Sequence, residues 1–312
     1  MADPVIQLGG VSKRYGAVTA LRDVSFDVQP GELFGLIGPD GAGKTTTIRL
    51  LCGLLHNDAG SVRVLGRDPV TDHAAVTRSV GYLSQRFSLY GDLSIDENVA
   101  FFAEIHGLRR YDQRRTRLLE LTGLLPFRTR LADRLSGGMK QKLALACTLI
   151  HEPRLILLDE PTTGVDPVSR REFWKLLADF LEQGITILVS TPYLDEAERC
   201  HRIAMLHDGQ LLALDTPDAL RRSLPGQMLE LLVEDQARVS AWLSTQPQVA
   251  DVNVFGERTH VRLKPDAGWD GAAAVESALR NAGLAVRGTR VVPASLEDVF
   301  IARITAGASW GS

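Results

Sequence analysis

LFGLIGPDGAGKTTTIRLL, residues 33–51, sets three patterns end to end. The apolar run Leu33 to Ile37 reads as a buried strand. Gly38, Pro39, Asp40, Gly41, Ala42, Gly43, Lys44 and Thr45 match G-x-x-x-x-G-K-[ST], and Thr46 leads into a helix with Ile48, Leu51, Cys52 and Leu55 on one face. Glycines at 38, 41 and 43 open backbone angles closed to other residues, so successive N–H groups can turn inward as an anion nest. The helix adds roughly half a positive charge at its N-terminal end. The stretch reads as a phosphate-binding loop, with Lys44 reaching β- and γ-phosphates and the Thr45 hydroxyl on Mg²⁺.

The rest of the composition sets bounds around this loop. A chain of 312 residues suits two domains, and 45% hydrophobic with 23% charged residues is ordinary for a globular protein. The net charge of −3 offers no basic field, so nucleic acid is not an expected partner. Cys52, Cys147 and Cys200 are scattered and read as small buried residues in a reducing compartment. MADPVIQLGG lacks the pattern of a signal peptide, and the apolar run Leu143 to Ile150 is far short of a membrane span. The expectation is a cytosolic chain that reaches a membrane only through a partner.

Ahead of the loop, Tyr15 lies between two strand-like runs, where it is either strand packing or a platform for an adenine ring. Gln85 closes a short strand, residues 80–85, and Ser94 with Glu97 fits a capping box. Arg109, Arg110, Arg114, Arg115 and Arg117 read as a solvated helix face, or more sharply as a contact with a membrane partner or acidic lipid. Ser136, Gly137 and Gly138, followed by Gln141, begin a helix with open N–H groups, a second start that can bind an anion. The run Leu155 to Leu158 delivers Asp159 and Glu160 to the C-terminal end of a strand, where ligands bind in parallel sheets. Asp159 is expected to hold Mg²⁺ through water, and Glu160 to orient or deprotonate an attacking water.

Asp166 and Pro167 open the next helix, and Thr191 with Pro192 is expected to cap and open a short one. Asp208-Gly209 turns a hairpin; His201 and His207 have no metal-ligand spacing and read as surface or turn residues. Past a linker at Ser223 to Gly226 the order β-α-β-β-α-β suggests a small ferredoxin-like domain, closed by a helix with a Ser295/Asp298 capping box. This region has no catalytic cluster and reads as regulatory or dimerising.

Tyr15, GPDGAGKTT, Gln85, LSGGMKQ, LLDEP and GVDP, in this order and spacing, make residues 4–222 resemble the ATP-binding subunit of ABC transporters. The resemblance implies an α/β fold, a P-loop NTPase core whose mixed sheet carries an antiparallel part and a helical subdomain. The expected organisation is an ATP-binding domain at 1–222 with its helical subdomain at about 86–152, an accessory α+β domain at 227–306 and a flexible tail at 307–312. It implies ATP and Mg²⁺ as cofactors, Thr45, Gln85 and Asp159 around the metal, and Glu160, Gln85 and Lys44 as the catalytic set. Gln85 resembles the Q-loop residue that couples the γ-phosphate to the membrane partner, and Asp166 the D-loop acid.

ATP in this family lies between the P-loop of one subunit and the LSGG of another, so Ser136, Gly137, Gly138, Gln141 and Asp166 are expected to act in trans. Two phosphate-binding helix starts beside a single P-loop lysine agree with a head-to-tail pair of two-fold symmetry. The tail PASLEDVFIARIT resembles ABC-2 type exporter subunits, the group of the daunorubicin-type drug exporters. The implied partners are an ABC-2 type transmembrane permease and a second ATP-binding subunit, identical or not. The implied place is the cytoplasmic face of the inner or plasma membrane, and the implied work is ATP hydrolysis driving export of a small or lipid-like molecule.

Two positions depart from the family pattern. Asp40 replaces the usual Asn and is expected to point away from phosphate. Pro192 replaces the switch histidine, and proline has neither an ionisable group nor an N–H. Losing one positioned transition-state donor costs on the order of 10² to 10³ in rate, so tight Mg-ATP binding with slowed hydrolysis is expected. The alternative function is a largely non-hydrolysing switch subunit in a mixed dimer.

Overall fold

The structure is a computed structural model and describes residues 3–85, 89–265, 268–269 and 271–308. The chain divides into two compact units, Met1–Thr216 and Pro217–Ser312.

The first unit runs β1 (Ile6–Tyr15), β2 (Val18–Val28), β3 (Leu33–Ile37), α1 (Lys44–Leu51), β4 (Ala59–Val64), α2 (His73–Thr77), β5 (Val80–Leu83) and α3 (Ile95–Ile105). It continues with α4 (Asp112–Leu121), α5 (Gly137–Leu149), β6 (Leu155–Asp159), α6 (Pro167–Glu182), β7 (Thr186–Thr191), α7 (Leu194–Ala197), β8 (Arg202–His207) and β9 (Gln210–Asp215). A six-stranded sheet has the order β5-β6-β7-β3-β8-β9, parallel except for β9, and a three-stranded antiparallel sheet has the order β2-β1-β4.

Every residue of β3, β6 and β7 is buried, which is why these segments are near-continuous apolar runs. Leu8, Val24 and Phe26 of the small sheet share one core with Phe34, Leu36, Leu157 and Leu188 of the large sheet and with Ile48 and Leu51 of α1. Phe26 stacks on Phe34 at 5.2 Å across that core. Each large side chain so buried contributes about 1.5–3 kcal/mol, and together they hold the β3 end still beneath the loop.

The hairpin β8-β9 turns at Asp208 and Gly209, both at positive φ as a two-residue type I′ turn requires. β5 ends at Leu83, so Gln85 stands in the turn beyond the strand. Of the expected helical subdomain, residues 86–88 lie outside the described residues, and α3 starts with the expected capping box of Ser94 and Glu97. The arginine cluster turns partly inward. Arg114 donates to the Ile150 carbonyl at 2.7 Å and pairs with Glu152, Arg115 pairs with Asp96 and Asp112, and Arg117 reaches Gln183.

The second unit holds α8 (Pro217–Arg222), β10 (Gln227–Val233), α9 (Gln236–Ser244), β11 (Val249–Phe255), β12 (Arg258–Leu263), α10 (Gly271–Asn281), β13 (Val286–Val291) and α11 (Leu296–Ala308). Its antiparallel sheet has the order β11-β12-β10-β13, the ferredoxin-like arrangement that two crossover helices impose. Leu229, Leu231, Val239, Leu243, Val261, Val275 and Leu279 form its own core. Two expected boundaries move. α8 packs against α11, and Arg303 donates to Ser223, so Pro217–Arg222 belongs with this unit and not with the first. α11 extends through Ala308 into the expected tail, whose residues 309–312 lie outside the described residues.

Candidate functional site

The site begins where β3 ends. Gly43, the N-cap of α1, sits at φ 105°, and a Cβ there would lie 2.6 Å from Leu21 Cδ2 and 2.7 Å from the Ala20 carbonyl. Only glycine can take that angle with the chain packed so closely. The loop surrounds Lys44, which is 3% exposed, and its Nζ donates to the carbonyls of Gly38 at 2.7 Å and Pro39 at 3.0 Å.

The same Nζ pairs with Glu160 Oε1 at 3.0 Å, while Gln85 Nε2 donates to Glu160 Oε2 at 2.9 Å. The structure thus brings all three residues of the expected catalytic set into contact. Asp159, nearly fully buried, accepts from the Thr45 hydroxyl at 3.1 Å and from Ser190 Oγ at 2.7 Å, both on Oδ1. Its Oδ2 is buried without a hydrogen-bond partner. A buried carboxylate oxygen left open on a group that the Thr45 hydroxyl also reaches suits a hard divalent cation that keeps several waters, as Mg²⁺ does. Thr45 and Asp159 therefore fit the metal that the loop implies, and Gln85 lines the same cleft as Thr45. Among the described residues no group of three or more His, Cys, Asp or Glu gathers elsewhere as a metal site.

A cleft of about 370 Å³ opens over the loop, lined by Tyr15, Ala20, Asp40, Gly41, Ala42, Gly43, Lys44, Thr45, Thr46, Gln85 and Glu160. Its size is in the range of small-ligand sites. Tyr15, at the end of β1, is half-exposed and lines the cleft. Asp40 is exposed and belongs to the loop that lines the cleft.

The residues expected to act in trans do not line this cleft. Ser136 caps α5, accepting from the Met139 N–H at 3.3 Å, and Gly137 is exposed with open space where a Cβ would be. Gly138 packs against Ser169 of α6, where a Cβ would overlap the serine hydroxyl. Gln141 turns its amide onto the Pro161 carbonyl of its own chain. Asp166 caps α6 by accepting from Ser169 and Val168, and these bonds, that of Ser169 foremost, hold its carboxyl below the usual range.

Pro192 is placed otherwise than expected. Thr191 is the last residue of β7 and α7 starts at Leu194, so Thr191 is not a cap and Pro192 is not the first helical residue. The Thr191 hydroxyl instead donates to Glu196 Oε2 at 2.6 Å and accepts from the Tyr193 N–H, a local turn that leaves Pro192 between strand and helix. Ser190 joins the site through Asp159, while Thr162 and Glu196 pair outside the cleft; the sequence singles out none of the three. The polar pair Ser190-Thr191 at the end of an apolar strand was the available signal; the burial of Glu196 is a product of packing. The three cysteines are buried, with burial pushing the Cys52 thiol up to about 12, so none is a poised nucleophile.

A family model described as ABC transporter matches residues 21–163. The probable multidrug ABC transporter ATP-binding protein YbhF of Escherichia coli K12 is 42% identical over 273 residues, covering 86% of this chain and 47% of that protein. The chain thus spans about half the length of that relative. The daunorubicin resistance ATP-binding protein DrrA3 of Streptomyces coeruleorubidus is 34% identical over 304 residues and 96% of both chains. Among solved structures, the dimeric bacterial ABC transporter cassette MJ0796 is 28% identical with a TM-score of 0.61, over 68% of this chain and 98% of that one. Loop, acidic pair, glycine-started helix and a relative matched from end to end agree: the chain belongs to the ABC transporter family of ATP-binding proteins.

Proposed function

We propose that the chain is the ATP-hydrolysing subunit of an exporter, working as a head-to-tail pair at the cytoplasmic face of a membrane through an ABC-2 type permease. The observation that carries the reading is the junction of Lys44, Glu160 and Gln85 beside the open Asp159 Oδ2. The nest and Lys44 bind the phosphates, and Tyr15 takes the adenine ring. Thr45 and Asp159, with Gln85, hold the metal, which when bound offsets charge on the β- and γ-phosphates. A phosphate oxygen arriving at Lys44 competes with Glu160 for the ammonium. Released, Glu160 is free to orient and deprotonate water.

A second chain supplies Ser136, Gly137 and Gly138, which are exposed or adjacent to exposed backbone and stand off the cleft of their own chain. The dimeric state of MJ0796 and the end-to-end match to DrrA3 support pairing and an export role respectively. The second unit, with a core of its own, is read as regulatory or dimerising. Pro192 favours a second reading, a switch subunit that binds ATP and hydrolyses little beside a complete partner.

Phosphate release and nucleotide binding by the full chain test the first reading. Glu160→Gln is expected to retain ATP binding while turnover falls by on the order of 10² or more, and Lys44→Ala to lose binding itself. Unchanged binding in Lys44→Ala contradicts the assignment of the loop; bound ATP with no turnover in the parent protein favours the switch reading.

A further inference from the structure

Glu196, on α7, is 1% exposed, yet it is not part of the cleft. Both of its oxygens accept short hydroxyl bonds: Oε1 from Thr162 at 2.6 Å and Oε2 from Thr191 at 2.6 Å. Arg170 of α6 supplies the opposite charge, with Nε at 3.5 Å from Oε1, and its guanidinium lies 4.4 Å from the centre of the Tyr193 ring. Distances of 2.5–2.7 Å belong to charge-assisted O–H···O⁻ bonds, among the stronger contacts available to a side chain.

The partners decide what this costly buried charge does. Thr162 is two residues past Glu160, and its neighbour Thr163 donates to Glu160 Oε2 at 3.4 Å. Thr191 follows Ser190, whose hydroxyl donates to Asp159 and accepts from the Glu160 N–H at 3.1 Å, and it precedes Pro192. Arg170 lies in α6, the helix capped by Asp166. One carboxylate thus ties together the segment after the candidate base, the end of β7 and the helix behind Asp166.

We propose that Glu196 is a positioning residue for hydrolysis: its paired hydroxyl bonds fix the loop from Glu160 to Thr163 against β7, and so set the angle of the Glu160 carboxylate. In most members of the family pattern a histidine would stand beside Thr191; here proline does, so the Glu196 clamp carries the alignment of that segment. The inference rests on the ATPase reading above.

The test uses the purified full chain with Mg-ATP. Glu196→Gln keeps the volume and at least one hydroxyl partner, and Thr191→Val and Thr162→Val each remove one hydroxyl. Misplacing a reacting group by about 1 Å costs up to roughly 10², so each variant is expected to lower kcat by about tenfold or more with KM and ATP affinity unchanged, and Glu196→Gln combined with Thr191→Val to be less than additive. A purely structural role would instead lower Tm and leave kcat per folded molecule at the parent value, which would overturn the inference alone. No turnover in the parent overturns the ATPase reading and the inference with it. A variant that fails to fold is replaced by Thr191→Ala, which removes the same hydroxyl and is expected to lower kcat likewise; a parent kcat there counts against the hydroxyl clamp.

Discussion

Glu160 stands at φ 49°, a left-handed backbone that costs a non-glycine residue about 1–3 kcal/mol. Its N–H is held by both the carbonyl and the hydroxyl of Ser190, and its carboxylate is shared between Lys44 and Gln85. A buried ion pair gains little net stability, since desolvation offsets the attraction, so the Lys44–Glu160 contact is easily exchanged for a phosphate. On the reading proposed above, that exchange makes binding and activation one event. Position 192 offers no donor, and because it lies between β7 and the Tyr193 cap of α7 a change there replaces no helix cap. Pro192→His is expected to raise kcat by about 10- to 100-fold with ATP affinity unchanged, read by steady-state phosphate release. An unaltered rate means that the departure at this position is already compensated.

At the level of elements, His106 at the end of α3 stacks on His151 beyond α5, with ring centres 3.8 Å apart and planes 7° from parallel. The neutral His151 ring donates from Nε2 to the Val80 carbonyl of β5 at 3.2 Å, while Nδ1 is buried without a partner. Burial, then the neighbouring His106 and Arg114, holds His151 down at about 4, against the Val80 bond, and burial also lowers His106. The unfolded chain takes up its proton near 6.5 and the folded chain only near 4, so this stability is present above pH 6.5 and is lost as pH falls to 4. His151→Gln keeps a donor for Val80 and takes no proton. Its Tm is expected to fall less than that of the parent between pH 6.5 and 4, by on the order of a few degrees, in a calorimetric pH series. Neither histidine was legible as a pair, because the helix and loop of residues 107–150 separate them in the chain. The buried strands β3, β6 and β7, the phosphate loop and the capping boxes were legible, since each is written in contiguous residues. Glu196 and the inward-turned Arg114 were not, because tertiary packing decides which polar side chains are covered.

For the whole molecule, the proposed pairing rests on the separation of the cleft around Lys44 from the helix start at Gly137, which does not line it. The ferredoxin-like unit has its own core and starts at Pro217, earlier than the apparent linker, because the pairing of α8 with α11 outweighs the Pro-Gly signal at 225–226. The trans arrangement is tested most directly by mixing two inactive chains. Lys44→Ala removes the phosphate grip. Gly137→Asp fits open space and suits a helix start, yet sets a carboxylate against phosphate. With two-fold pairing, half of the mixed dimers are hetero-pairs with one whole site of two, so phosphate release is expected to recover to about a quarter of the parent rate. Recovery near that level supports a site shared between two chains; a mixture as inactive as its separate components contradicts it.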